Sequence, residues 1–240
     1  MTSKSPVNYT PEKIPTFPEA IQLYKIIIKQ IPVGPLQVLT YLVACPRSKE
    51  AVIIDPAGEG ERLSAMVEEE GVKVKYILNT HGHPDHVLAN QSLKVLLNAP
   101  TCMHEVDDQF FSEKEVRKSA AKELGLPPPD PVDIRLKDGD VLEVGDLKIE
   151  VILTPGHTPG SVCFLVNGHL FTGDTLFVGA VGRTDLTGAS LDTLLKSLEE
   201  KLLALPKDTV IWPGHDYGET PTSTISREME ENPYITDFIL

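Results

Sequence analysis

Four short turns constrain this chain more than anything else in it, because each closes an apolar run and each carries histidine or aspartate. They read Thr80-His81-Gly82-His83-Pro84-Asp85-His86, Thr154-Pro155-Gly156-His157-Thr158-Pro159-Gly160, Phe171-Thr172-Gly173-Asp174-Thr175 and Trp212-Pro213-Gly214-His215-Asp216-Tyr217. Five of the seven histidines fall within them. Side chains at strand ends gather along one edge of a sheet, which is where binding sites lie. The chain must therefore fold so that four strand ends, far apart in sequence, meet.

The spacing within the turns points to metal. His81 and His83, two apart on an extended turn, can share one ion. Pro84 suits the first turn of a following helix, from which Asp85 and His86 can face a second ion. Two Pro-Gly turns bracket His157, and Gly173 lets the backbone come close behind Asp174. Five imidazoles and two carboxylates exceed the needs of one tetrahedral ion. Divided between two ions, with one carboxylate bridging, they suit zinc first, with iron and manganese as alternatives. Such ions sit ~3.5–4 Å apart and hold a hydroxide between them. His104 and His169 read as surface or turn residues rather than ligands. Asp55, in Ile53-Ile54-Asp55-Pro56, reads either as a turn former or as the hydrogen-bond partner of a ligand histidine. Arg183 and Asp185 can pair with each other, and Tyr217 belongs either to the core or to a substrate groove.

Strand and helix patterns alternate along the 240 residues. Strands are predicted over 23–31, 36–44 and 51–54, too close together for intervening helices and so an antiparallel meander. Further strands are expected over 74–78, 147–153, 161–166, 169–171 and 209–212. Helices are expected over 59–70, 84–97, 191–203 and 222–231, with a charged helical excursion over 105–126 that ends at the prolines of 127–131. Two packed sheets covered by helices fit this order. Residues 1–20, polar and proline-dotted, predict a loose leading segment, with 21–240 as one domain. They show no signal-peptide pattern, and three scattered cysteines suit a reducing cytosol, so a cytoplasmic location is expected. No apolar run approaches a membrane span. A net charge of −13 without a Lys/Arg run disfavours a nucleic-acid surface. A homodimer is the default expectation for assembly.

With these motifs in order, the sequence resembles the metallo-β-lactamase superfamily, from about residue 23 to a little beyond Tyr217. The resemblance implies a four-layer αβ/βα sandwich, with two mixed β-sheets flanked by helices and the metals where the sheets meet. Thr80-His81-Gly82-His83-Pro84-Asp85-His86-Val87-Leu88-Ala89-Asn90, Gly182-Arg183-Thr184-Asp185-Leu186 and Gly214-His215-Asp216-Tyr217-Gly218-Glu219-Thr220 resemble most the glyoxalase II-like hydrolases of glutathione thioesters. In that family His81, His83 and His157 would hold the first metal, Asp85, His86 and His215 the second, and Asp174 would bridge. Asp85 would also orient the attacking hydroxide, Tyr217 and Arg183 would meet substrate, and Asp55 stands at the family's first-motif position. With 25 residues after His215, the helical C-terminal substrate domain of full-length glyoxalase II is expected to be absent. The activity implied is hydrolysis of a small acyl-thioester, with glutathione as the carrier the family suggests. Two other activities of the same fold compete. A persulfide dioxygenase would hold one iron by His81, His157 and Asp174. A lactonase or phosphodiesterase would use the same metal pair.

Overall fold

The computed structural model describes residues 26–240; the predicted loose segment 1–20 and the start of the first strand candidate lie outside them. The first half of the chain builds one sheet from β1 (Ile27–Val33), β2 (Val38–Ala44), β3 (Glu50–Ile54), β4 (Lys73–Leu78), β5 (Thr101–His104) and β6 (Ile134–Leu136), in that spatial order. β1 to β3 form the expected antiparallel meander, and β3 to β6 run parallel. Parallel neighbours need crossovers, supplied by α1 (Gly60–Glu69), α2 (Pro84–Val87), α3 (Asn90–Leu97), α4 (Glu105–Ser112) and α5 (Lys114–Leu124).

The second half builds a second sheet from β7 (Val141–Val144), β8 (Leu147–Leu153), β9 (Val162–Val166), β10 (His169–Gly173), β13 (Val210–Pro213) and β14 (Ser223–Thr224). A small hairpin, β11 (Leu176–Phe177) and β12 (Ala180–Val181), stands apart from it. α6 (Leu191–Ser197), widening through Leu202, precedes β13, and α7 (Ile225–Glu231) and α8 (Pro233–Thr236) follow β14.

Strand alternation makes the layers. In β2, Leu39, Tyr41 and Val43 face one core, where they meet Val151, Phe164 and Phe171 of the second sheet. Val38, Leu42 and Ala44, on the opposite face, meet Leu63, Val67 and Leu93 from the helices over the first sheet. Cys163, Leu170 and Ile211 face Leu198, Leu202 and Ile225 on the far side of the second sheet. Because side chains alternate with period two, each sheet is apolar on both faces, and the stack is helix, sheet, sheet, helix. That is the predicted sandwich.

Several elements differ from expectation. The helix foreseen over 84–97 breaks at Ala89, whose N–H donates to the Pro56 carbonyl instead of continuing the helical ladder. The excursion over 105–126 divides at Glu113, which is extended. β5, β6 and β7 are too short to stand out in sequence, and Ser223 and Thr224 form β14 before the closing helix begins. His104 is buried at 3% exposure, not on the surface; it ends β5 and its Nδ1 accepts from the Val106 N–H as the cap of α4. His169 opens β10, half-buried, and its Nδ1 accepts from Trp212 Nε1. Among the described residues no helix is long and apolar enough to cross a membrane.

Candidate metal centre

Each of the four turns is shaped by local chemistry. A residue before proline is held out of the helical region, and His83 lies at φ −65°, ψ 141° while Pro84 takes the first helical position. The chain thus bends at Thr80 and His81, is extended at His83 and turns helical at Asp85 and His86. Gly173, at the end of β10, has φ 49°, and a Cβ there would overlap the Thr80 side chain. Only glycine lets the Asp174 turn close against the first histidine turn. The His215 turn is tied to both sheets: Gly214 donates to the Gly173 carbonyl at 2.7 Å, and the Gly214 carbonyl accepts from Leu39 at 2.8 Å.

The seven predicted side chains meet. His81, His83 and His157 offer ligand atoms all within 4.8 Å of one another, and so do Asp85, His86 and His215. A third combination, Asp55 with His81 and His86, is equally close. In that one, however, Asp55 is already committed: its carboxylate accepts from His86 Nδ1 at 3.0 Å, Thr80 N at 2.7 Å and Thr80 Oγ1 at 2.6 Å. Asp174 lies between the first two groups. Its Oδ1 is 3.3 Å from His86 Nε2, and its Oδ2 is 3.5 Å from His157 Nε2 and 3.6 Å from His215 Nε2.

The outer ring nitrogens of His81, His86 and His157 have partners that fix which nitrogen faces inward, whereas His215 turns its Nε2 toward Asp85 and Asp174 and leaves Nδ1 unpartnered. His157 Nδ1 donates to the Arg183 carbonyl at 2.8 Å. His86 Nδ1 donates to Asp55, and His81 Nδ1 reaches Thr80 Oγ1 at 3.1 Å, which itself donates to Asp55. Of the inward atoms, His83 Nδ1 and His157 Nε2 lie 2.9 Å apart and share one hydrogen bond, while others have no partner. Among the described residues, buried side-chain atoms lacking any hydrogen bond are His81 Nε2, Asp85 Oδ1, His86 Nε2, Asp174 Oδ1, His215 Nδ1 and Ser223 Oγ. Burying polar atoms unpaired is costly, and all but one of these belong to the cluster. The orphaned Nε2 atoms of His81 and His86 and the orphaned oxygens of Asp85 and Asp174, beside the paired His83 and His157 rings, fit a pair of divalent ions.

The electrostatics agree. Burial, reinforced by neighbouring imidazoles, holds His81 and His83 well below the usual histidine range, and burial likewise lowers His157. These rings stay neutral and keep a lone pair for a metal. Burial also opposes charge on His86, but the Asp174, Asp85 and Asp55 carboxylates outweigh it and raise that ring. Burial opposes ionisation of Asp174, yet His86 and His215 hold its carboxyl well below the usual range. Without a cation the carboxylates draw a proton onto His86; a bound ion would take that role.

The remaining predicted residues edge the site. Tyr217 is not core: it is 68% exposed, its ring stacks on His215 at 4.9 Å, and it lines a cavity of about 450 Å³ with Val178, Glu219 and Arg227. The exposed Arg183 side chain pairs with Asp185 through two 2.9 Å hydrogen bonds, and it is the Arg183 backbone that touches the cluster. Sequence reasoning missed Asp107, which is fully buried behind the histidine turns. Its place beside Asp108 and Glu105 disguised it as part of a charged helix face.

The sequence model described as the metallo-beta-lactamase superfamily matches residues 33–215. The chain is 37% identical over 195 residues to the hydroxyacylglutathione hydrolase GloC of Haemophilus influenzae, covering 78% of this chain and 88% of that protein. It is 36% identical over 200 residues to the human mitochondrial persulfide dioxygenase ETHE1, covering 82% of this chain and 71% of that protein. Among solved structures, that of TTHA1623 in a di-iron-bound form superposes with a TM-score of 0.73 at 37% identity, covering 86% of this chain and 99% of that one.

Proposed function

Since the chain belongs to the metallo-β-lactamase superfamily, we propose that its converging side chains hold two divalent ions and hydrolyse a small acyl-thioester. The observation that carries this reading is the second ligand group: Asp85, His86 and His215 are buried together beside the three-histidine group, with Asp174 between them. His81, His83 and His157 would hold one ion, and Asp85, His86 and His215 the other. Bound there, two such ions supply polarisation of a carbonyl and a water that ionises near neutral pH.

The chain's own residues do the rest. Asp174, with 12% of its side chain exposed, is the least enclosed of the carboxylates in the cluster. Asp85, with one oxygen unpartnered, is placed to orient the attacking water. The neutral imidazoles contribute lone pairs without a proton to lose. A thiolate leaves as the anion of an acid with pKa near ~8.5, so expulsion needs no strong general acid. Tyr217 and the cavity beside it offer the carrier a surface outside the cluster, and Arg183, next to that surface, offers a cation once parted from Asp185. Glutathione is the carrier suggested by the GloC relative. Zinc is the first candidate, and the di-iron neighbour keeps iron as the alternative.

One observation favours a second reading, a persulfide dioxygenase with one iron on His81, His157 and Asp174: the identity to human ETHE1. It leaves Asp85, His86 and His215 without a role. Elemental analysis of protein purified without chelators, together with turnover on a panel of thioester, lactone and phosphodiester substrates, separates the readings. Two ions per chain with thioester turnover supports the proposal. One iron per chain, with oxygen uptake on glutathione persulfide, overturns it.

A further inference from the structure

Asp107 is a buried carboxylate with no cation to balance it. It sits in the first turn of α4, fully enclosed, and no lysine or arginine pairs with it among the described residues. Its partners are instead the backbones of the two turns that carry the three-histidine group. Oδ2 accepts from the Gly82 N–H at 2.9 Å, the amide between His81 and His83, and from Thr158 Oγ1 at 2.7 Å, the residue after His157. Oδ1 accepts from the Gly160 N–H at 2.6 Å. Burial pushes this carboxyl up to about 6, against the pull of those donors. A buried group that resists its own charge is disfavoured unless its acceptor geometry is used.

The helix beneath it is fixed. Asp108, its neighbour, accepts from Arg135 Nε at 2.7 Å and from the Val132 N–H at 3.0 Å, which anchors α4 to the segment entering β6. Phe111, one turn later, lies edge-on to His83 with ring centres 5.4 Å apart. The two turns are moulded to this post. A Cβ at Gly82 would overlap the Phe111 ring, and one at Gly160 would overlap Asp107 itself. One turn comes from the first sheet and the other from the second, and a single backbone hydrogen bond, Val162 N–H to the Thr80 carbonyl at 2.8 Å, joins them where they leave their strands. Beyond it, where the histidines themselves stand, the Asp107 carboxylate holds three donors from both turns.

We infer that Asp107 is a positioning residue of the three-histidine group, helping to hold the His81–His83 turn and the His157 turn at the separation one metal ion needs. This rests on the two-ion reading above. Asp85, His86 and His215 lie outside its hydrogen bonds, so the effect is selective for one ion.

The test is competition titration of zinc into the full chain against a chromophoric chelator, with thermal unfolding of each loaded protein alongside. Removing the outer partner of a ligand typically weakens metal binding about 10–100-fold. Asp107→Asn is expected to weaken one of the two zinc steps by that factor and leave the other unchanged. In a His83→Ala background, where the three-histidine group is already broken, it is expected to change nothing. Thr158→Val removes a single donor and is expected to weaken the same step by a smaller factor; it carries the test if Asp107→Asn fails to fold. Equal weakening of both steps, or no weakening in a folded variant, overturns the inference and leaves the two-ion reading standing. A wild-type chain that takes up no second ion overturns both.

Discussion

Asp55 and Asp107 stand behind the same imidazoles and hold them by different means. Asp55 acts on rings: it accepts from His86 directly and from His81 through Thr80. Asp107 touches no ligand; it accepts from the amides and the hydroxyl beside the ligands. Ring contacts fix a tautomer and an orientation, whereas backbone contacts fix how far apart two turns stand. Asp55 also works within one sheet's edge, where β3 and β4 end side by side. Asp107 works across the seam between sheets, alongside the Val162 N–H that donates to the Thr80 carbonyl at 2.8 Å.

Asp174 sets the scale for this contrast, because it lies between both ligand groups. Asp174→Ala is expected to lower thioester turnover by on the order of 10³-fold and to reduce metal content below two ions, read by steady-state kinetics and elemental analysis. Retained turnover would remove the bridging role on which the contrast depends. Next in size is Asp55→Ala. It is expected to weaken the ion on Asp85, His86 and His215 about 10–100-fold, the step that Asp107→Asn spares. It also strands the buried Thr80 N–H, a loss of about 1–3 kcal/mol in denaturant unfolding. Weakening of only the other step would reverse the assignment of the two carboxylates.

A smaller effect sharpens the comparison. Asp55 holds Thr80 and Asp107 holds Gly82, two residues apart on one turn, so the pair is not independent. The Asp55→Asn, Asp107→Asn double variant is expected to lose less zinc affinity than the two single losses combined, by about 0.5–3 kcal/mol. Strict additivity would mean that the turn transmits nothing between them.

The smallest effect concerns pH. Burial pushes the Asp107 carboxyl in the fold up to about 6, above the ordinary 3.8 of an aspartate. Between those values the folded chain keeps a proton that the unfolded chain releases. Stability from this group therefore falls as pH rises through the window, by at most about 1.4 kcal/mol per pH unit, and is level above it. Asp107→Asn has no such proton. Unfolding of chelator-treated proteins should show wild type gaining on the variant as pH drops from about 6 toward 4; a constant difference would mean that burial does not raise this carboxyl.

The same two residues mark what could be read in advance. Asp55 closes an apolar run, and a carboxylate at a strand end is conspicuous. Asp107 lies in Glu105-Val106-Asp107-Asp108, where solvated acids are the ordinary reading of a helix face, and its burial depends on a turn more than 50 residues later, at Gly160. The seven clustered side chains and the layered architecture were legible, because period-two apolar runs and strand-end turns are local signals. The breaks at Ala89 and Glu113 were not. The first depends on a carbonyl at Pro56 from another element, and helical periodicity does not register such partners. Short strands such as β5 and β6 owe their existence to neighbours in the sheet rather than to their own pattern.

The partition of ligands between the sheets has a further consequence. His81 to His86 all come before the turn at Lys137–Asp140, and His157, Asp174 and His215 all come after it. A chain cut in that turn leaves two fragments, neither carrying a whole ligand group, since each group draws on both. On the two-ion reading, metal uptake by the mixed fragments then reports their reunion, and zinc becomes the thread by which two separately made halves are sewn together.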